Sequence, residues 1–193
     1  MMDDTKFLQH MFDGYVHCYR RLNWNTQGTD SDMTALELGH FADLGQKLGF
    51  LTTREKTMRG KNSKAERPDL FWQSDKLNPI LYMERENSDK TTIIRGTIDK
   101  LFKYDEECYL SAVFGGIESN DYQMVTNYIS KKIKANQLFL LIAWIKEGNS
   151  DKVDPLEVHA RVYSGDQQWE KKANVKKDED GYYWYLYFEP TTT

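Results

Sequence analysis

The stretch Arg67-Pro68-Asp69-Leu70-Phe71-Trp72, followed across the polar turn Gln73 to Pro79 by Ile80-Leu81-Tyr82-Met83-Glu84-Arg85-Glu86-Asn87, decides how this chain folds. Two short aromatic and aliphatic runs around a Ser-Asp-Lys-Leu-Asn-Pro connection form a β-hairpin pattern. Side chains two apart on a strand share a face, so Glu84 and Glu86 point the same way as Ile80 and Tyr82. Two ionised carboxylates side by side on an inward face cost on the order of several kcal/mol unless a cation or donors meet them. Asp69 precedes the first strand and should come to the same end of the hairpin. Three acids so placed are a candidate site for a divalent cation.

Outward from this hairpin the apolar spacing predicts a regular order of elements. Phe7, Leu8, Met11, Phe12, Tyr15, Val16 and Tyr19 recur at helical spacing, which predicts an amphipathic helix over 4–22. A second helix should start near Asp30 or Ser31, whose side chains suit an N-cap, and run to about Leu48 with Met33, Phe41, Leu44 and Leu48 on its core stripe. Glu37 falls within that stripe, and a carboxylate there needs a partner. A short strand over 50–56 precedes the hairpin. After it, Asn87-Ser88-Asp89 should cap a helix through Ile93, Ile94, Ile98, Leu101 and Phe102. Strand 108–114, helix 121–135 and strand 138–146 follow. The last is apolar without alternation, as expected of a strand covered on both faces.

The segment from about Asp32 to Ile145 resembles the restriction-endonuclease-like, or PD-(D/E)xK, phosphodiesterase superfamily. Pro68-Asp69 matches its Pro-Asp literally and Glu84 its second acid, whereas Glu86 stands where the pattern usually has lysine. The resemblance implies an α/β fold with a mixed sheet flanked by helices in the order α-β-β-β-α-β-α-β. It also implies a metal-dependent nuclease hydrolysing phosphodiester bonds, with DNA the expected substrate. Asp69 and Glu84 would bind Mg²⁺ or Mn²⁺. Glu86 would complete the shell or orient the attacking water, and Glu37 would add an outer contact, so that the implied catalytic set is Glu37, Asp69, Glu84 and Glu86. Lys56, Lys64 or Lys90 would supply the charge that the missing lysine carries in the family.

At 193 residues the chain suits one domain with a full core. Residues 1–29 read as an N-terminal helix and loop, 30–147 as the nuclease-like core and 148–193 as a β extension. In the extension Leu156, Val158, Ala160 and Val162 alternate with polar partners, Gly165-Asp166 and Asp180-Gly181 signal turns, and two or three antiparallel strands are expected. The aromatic run Tyr182 to Phe188 should have both faces covered, and one face can belong to a partner; ordinary packing or a dimer contact is expected ahead of base stacking on Trp169, Tyr183, Tyr185 or Tyr187. The longest strongly apolar run, Leu138 to Ile145, is too short to cross a bilayer, and no signal peptide precedes Asp3, so a cytoplasmic location is expected. Cys18 and Cys108, in no Cys-x-x-Cys pair, are expected as reduced thiols buried in the core.

The formal charge of −4 opposes a nucleic-acid role, yet its distribution matters more than its total. Arg54, Lys56, Arg59, Lys61, Lys64 and Arg67, against Glu55 and Glu66 alone, lead directly into Pro68-Asp69, where a basic loop can grip a phosphate backbone. With Lys90 they form the candidate nucleic-acid-binding set. Lys131, Lys132 and Lys134, and Lys171, Lys172, Lys176 and Lys177, read more simply as solvated surface. There is no phosphate-binding Gly-x-x-x-x-Gly-Lys-Ser/Thr, no Gly-x-Gly-x-x-Gly and no Gly-x-Ser-x-Gly, and two cysteines exclude zinc fingers. His10, His17, His40 and His159 have no metal-ligand spacing.

Two other readings stay open on the same residues. Asp69 can be a turn residue, with Glu84 and Glu86 paired to Arg67, Arg85 or Arg95 and with Arg85 a surface charge. The chain can also be a nuclease-fold protein that does not cut and binds nucleic acid or a partner protein instead.

Overall fold

Strand alternation and helix amphipathicity together explain the architecture of the computed structural model, which describes residues 4–19, 28–54, 68–88, 90–104, 107–147, 155–165 and 167–189. The helices are α1 (Asp4–Cys18), α2 (Asp30–Lys47), α3 (Thr91–Phe102) and α4 (Ser119–Lys132). The strands are β1 (Leu51–Arg54), β2 (Leu70–Gln73), β3 (Pro79–Glu86), β4 (Tyr109–Glu118), β5 (Leu138–Lys146), β6 (Glu157–Ser164), β7 (Gln167–Lys177) and β8 (Trp184–Tyr187). They form one sheet in the order β1 to β8. Strands β3, β4 and β5 run parallel, while β1-β2-β3 and β5-β6-β7-β8 pair antiparallel. The protein is therefore mixed α/β with an eight-stranded mixed sheet.

The two parallel pairings require crossovers, and α3 and α4 supply them, both landing on one face of the sheet. Helices α1 and α2 cover the other. Each face has its own core. Leu81 and Met83 of β3 pack with Leu140, Ile142 and Trp144 of β5 beneath α1 and α2. Tyr82 joins Leu141, Ala143 and the α3 and α4 residues Ile94, Ile98 and Val125 on the opposite side. Strand β5 is buried along nearly its whole length, as its unbroken apolar run requires.

Helix α1 buries the expected stripe, including Leu8, Phe12 and Tyr15. Helix α2 begins at Asp30, as expected, but its N-cap is Thr29 rather than Asp30 or Ser31, in a reciprocal capping box with Asp32. Its C-terminal half lies close on the sheet because Gly45 has no side chain; a Cβ there would sit 2.7 Å from Thr52 Cγ2 and from the Trp72 ring. Leu48, expected in the core stripe, is exposed beyond the end of the helix. No side chain caps α3, which starts after Lys90 rather than at the Asn-Ser-Asp run.

The aromatic run at the C-terminus is covered on one face only. Among the described residues strand β8 is the sheet edge, paired with β7 alone. Leu186 is buried against the α1 side and the Phe188 ring meets Phe12, whereas Tyr182, Tyr183 and Tyr187 are exposed. The helices of the second face, α3 and α4, pack over β3, β4 and β5, whereas α1 covers β8 from the other side, and hydrophobicity alone does not reveal which layer reaches a strand. Cys18 and Cys108 are free and half-buried rather than core residues. Within the smaller lysine groups Lys132 pairs with Asp99, Lys171 with Asp13 and Lys172 with Glu157.

Candidate functional site

Strand β3 sits between antiparallel β2 and parallel β4, and its period of two sends Glu84 and Arg85 to opposite faces. Met83 packs beneath α1 and α2, so Arg85 follows it onto that face; Tyr82 packs toward α3, so Glu84 and Glu86 follow it there. The carboxylates of β3 and the carboxylate of α2 are thereby separated by the thickness of the strand.

On the α3 face Glu84 is buried at 5% exposure. Lys100 Nζ lies 2.9 Å from its Oε1 and donates to Oε2 at 3.0 Å; Oε1 receives no well-directed hydrogen bond. Burial first, and the neighbouring Asp69 carboxylate second, push the Glu84 carboxyl up to about 8 despite the opposing pull of Lys100. Asp69 Oδ2 accepts the Arg85 backbone N–H at 2.9 Å, which fixes it at the start of β2 beside the outgoing end of β3. Glu86 accepts from the Ser88 backbone N–H at 2.9 Å and the Thr97 hydroxyl at 3.1 Å. Thr97 and Lys100, three apart on α3, share a helical face, so one face of α3 answers both glutamates.

On the α2 face Glu37 is fully buried. Its Oε1 accepts the Tyr15 hydroxyl in a short hydrogen bond, and its Oε2 accepts Arg85 Nε at 2.6 Å. Trp144 Nε1 donates to the Tyr15 oxygen at 3.0 Å, which ties α1, α2, β3 and β5 into one network. Burial, then the Glu37 carboxylate, hold the Tyr15 phenol well above its ordinary range. Burial works against the Arg85 cation, and Glu37 more than offsets it. Arg85, expected as a surface charge, is thus the buried partner of Glu37. Arg85 Nη1 and Nη2 have no hydrogen-bond partner among the described residues.

A cleft of about 430 Å³ opens at this end of the sheet, bordered by Ser31, Thr34 and Leu38 of α2, Arg54 of β1, Asp69, Arg85 and Glu86 of β3, and Asn87 just after it. Arg54 donates to the Ala35 carbonyl at 3.3 Å and lies across α2 beside Gly39. Asn87 Nδ2 donates to Thr34 Oγ1 at 2.9 Å, which closes the gap between β3 and α2. Of the basic set, Lys90 is exposed at the start of α3, whereas Lys56, Arg59, Lys61, Lys64 and Arg67 lie outside the described residues.

The structure therefore places Asp69 beside Glu84, holds Glu86 separately on Ser88 and Thr97, and does not bring Glu37 to them. No group of three or more His, Cys, Asp or Glu able to hold a metal occurs among the described residues. Two carboxylates remain, and Mg²⁺ commonly takes one or two of them, with water and phosphate oxygens filling the other positions. Lys100 was not singled out from the sequence because it lies sixteen residues after Glu84 on a different element; its signal is its place one turn after Thr97 on α3. The Tyr15–Glu37–Arg85 network carried one legible trace, the acid on a core stripe.

No family model matches this chain, and no curated protein sequence does. Among solved structures, the YaeQ protein from Xanthomonas axonopodis pv. citri aligns over 86% of this chain and 84% of its own, at 11% identity and a TM-score of 0.27. The YaeQ protein from Pseudomonas syringae aligns over 86% and 82%, at 11% identity and a TM-score of 0.31. Likeness at this level carries no weight for fold or function.

Proposed function

We propose that the protein is a metal-dependent phosphodiesterase acting on nucleic acid, DNA foremost, with a site built from Asp69, Glu84 and Lys100 on a restriction-endonuclease-like core. The observation that carries this is the buried Glu84 carboxylate beside half-buried Asp69, with the Lys100 ammonium 2.9 Å from Glu84. In the resembling superfamily a lysine two residues after the second acid accompanies the metal-binding carboxylates. Here Glu86 occupies that place, and Lys100 brings an ammonium to the same carboxylate from the neighbouring helix. Mg²⁺ or Mn²⁺ held by Asp69 and Glu84 would supply charge neutralisation at the phosphate and a more acidic bound water. Lys100 restrains Glu84 and offers a cation beside the reacting group. Glu86, held by Ser88 and Thr97, fixes the start of α3 against β3 and so positions Lys100.

Incubating the protein with plasmid and single-stranded DNA in Mn²⁺ tests this. Wild type should cut, Asp69→Asn and Glu84→Gln should not, and Mn²⁺ should raise the melting temperature of wild type alone. Cutting that survives both substitutions, or a melt indifferent to Mn²⁺, overturns the proposal.

One observation favours a second reading, in which the chain binds nucleic acid or a partner protein without cutting. Glu37 is spent on Arg85 and Tyr15, and Lys100 already partly neutralises Glu84, so the acids have partners in the absence of a metal. Under that reading nucleic acid is retained in the cleft and no cleavage occurs with either cation. A cytoplasmic location accords with both; among the described residues no helix is long and apolar enough to cross a membrane.

A further inference from the structure

Helix α2 is longer than the strands it lies on. Strands β1 and β2 have four residues each, and their last pair is Arg54 with Leu70. The helix meets them at Gly45, above Thr52 and Trp72, and at Gly39, above the Arg54 side chain. From Gly39 back to Asp30 it continues for about 14 Å at roughly 1.5 Å per residue. Ser31, Thr34, Ala35 and Leu38 of this overhang line the cleft, with the end of β3 as the opposite wall. They fall at i, i+3, i+4 and i+7, so their side chains form one stripe along the helix. Ser31 and Ala35 are exposed, and Leu38 is buried at the inner end. Asn87 Nδ2 donates to Thr34 Oγ1 at 2.9 Å and to the Asp30 carbonyl at 3.3 Å, which holds the two walls at a fixed separation.

We infer that this cleft receives one unstacked nucleobase of a single strand, next to the phosphate at the Asp69–Glu84 site, and favours bases that carry an exocyclic amino group. About 430 Å³ is the size of space that holds a small organic ligand. The α2 stripe offers the apolar side chains of Ala35 and Leu38 with the hydroxyls of Ser31 and Thr34, a largely apolar wall with few polar groups, as such sites have. Since the Arg85 side chain is closed off from solvent, the charged side chains left at the border are Asp69, Glu86 and Arg54. Two acids against one base repel a phosphate and favour a donor. An exocyclic amino group is such a donor: carboxylates accept from cytosine N4, whereas thymine presents a carbonyl oxygen at that place. Asp69 both borders the cleft and neighbours Glu84, so a strand whose phosphate lies at that pair has an adjoining base at the mouth of the cleft. In a single strand that base enters without the unpairing that a duplex demands. The inference rests on the proposed function for the source of the base, a nucleic-acid strand; the cleft and its lining do not depend on cleavage.

The experiment follows the Ala35 and Leu38 methyl signals of the intact protein by carbon-13 NMR. Short oligodeoxycytidylate, short oligothymidylate and inorganic phosphate are titrated separately, each in EDTA and in Mg²⁺. Both methyls should shift with oligodeoxycytidylate in at least one condition, and it should bind about fivefold or more tighter than oligothymidylate. Ala35→Trp, which fills the cleft, and Ser31→Trp at its mouth should each weaken oligodeoxycytidylate at least about tenfold. Both positions are exposed, so the melting temperature should change little. Methyl signals that stay put with oligodeoxycytidylate in both conditions overturn the inference, even in a protein that cuts DNA. Equal shifts with inorganic phosphate overturn it by making the cleft an anion site, and equal affinity for the two strands overturns the choice of base. Signals of the free protein that move on dilution place a second copy in the cleft and overturn it as well. A protein whose methyls shift with oligodeoxycytidylate but which never cuts keeps this site and loses the enzyme.

Discussion

Arg85 Nε and Glu37 Oε2 lie 2.6 Å apart in a fully buried pair joining residues 48 positions apart in the chain. The pair fixes how α2 docks on the sheet and removes Glu37 from the acids of the hairpin.

Breaking that pair from one side should be costly. Glu37→Ala leaves the Arg85 charge buried without its partner, and a loss of about 3–5 kcal/mol is expected in urea unfolding. Glu37→Leu combined with Arg85→Met should lose much less than the sum of the single changes, because no buried charge is left behind. Additive losses would mean the two groups are not coupled.

Glu84 makes stability depend on pH in an uncommon direction. Its carboxyl titrates at about 8 in the folded protein against an ordinary 4.5. Between those values the folded state holds a proton that the unfolded state has released, so stability should fall as pH rises from about 4.5 to 8 and level off above, by on the order of a few kcal/mol. Glu84→Gln should flatten that slope and melt higher than wild type at pH 9. Divalent cations should become more stabilising across the same interval in wild type, as proton and metal compete for one carboxylate.

Lys100 should separate activity from folding. Being partly exposed on α3, it can be replaced by methionine with a small change in melting temperature. If it assists at the phosphate, cutting should drop by about a hundredfold or more, and Lys100→Arg should recover part of it. Steady-state cleavage rates beside thermal melts decide this; unchanged cutting in Lys100→Met removes the residue from the site.

Gly45 tests the docking of α2 on the sheet. A Cβ 2.7 Å from both Thr52 and the Trp72 ring must push the helix away, so Gly45→Ala should destabilise by about 1–3 kcal/mol despite alanine's better helix propensity. Trp72 fluorescence and denaturant midpoint report it together. A neutral or stabilised variant would show that α2 can shift without loss.

Period and punctuation made most elements legible. The unbroken run of β5, the helical stripe of α1 and the polar turn between β2 and β3 all lie in local residue order, which is why strand 138–146 appears with its expected bounds. The same period of two told that Glu84 and Glu86 share a face. It could not tell which layer covers that face, because the choice depends on where the crossover helices land. Arg85 looked like a surface charge for this reason: its neighbours alternate as expected, but the far side of the sheet is occupied by α1 and α2 rather than by water. Local order did not mark Lys100 or Tyr15 as a carboxylate partner, since each meets its carboxylate from another element.

Residue order by itself determined the alternation of β3, the acid on the stripe of α2 and the sequence of helices and strands, because these depend on contacts within a few residues. Only the tertiary structure decided that Glu37 pairs with Arg85 while Asp69 and Glu84 share the other side with Lys100. A strand has two faces, and what each one meets is set by the packing of distant segments, which local periodicity does not encode.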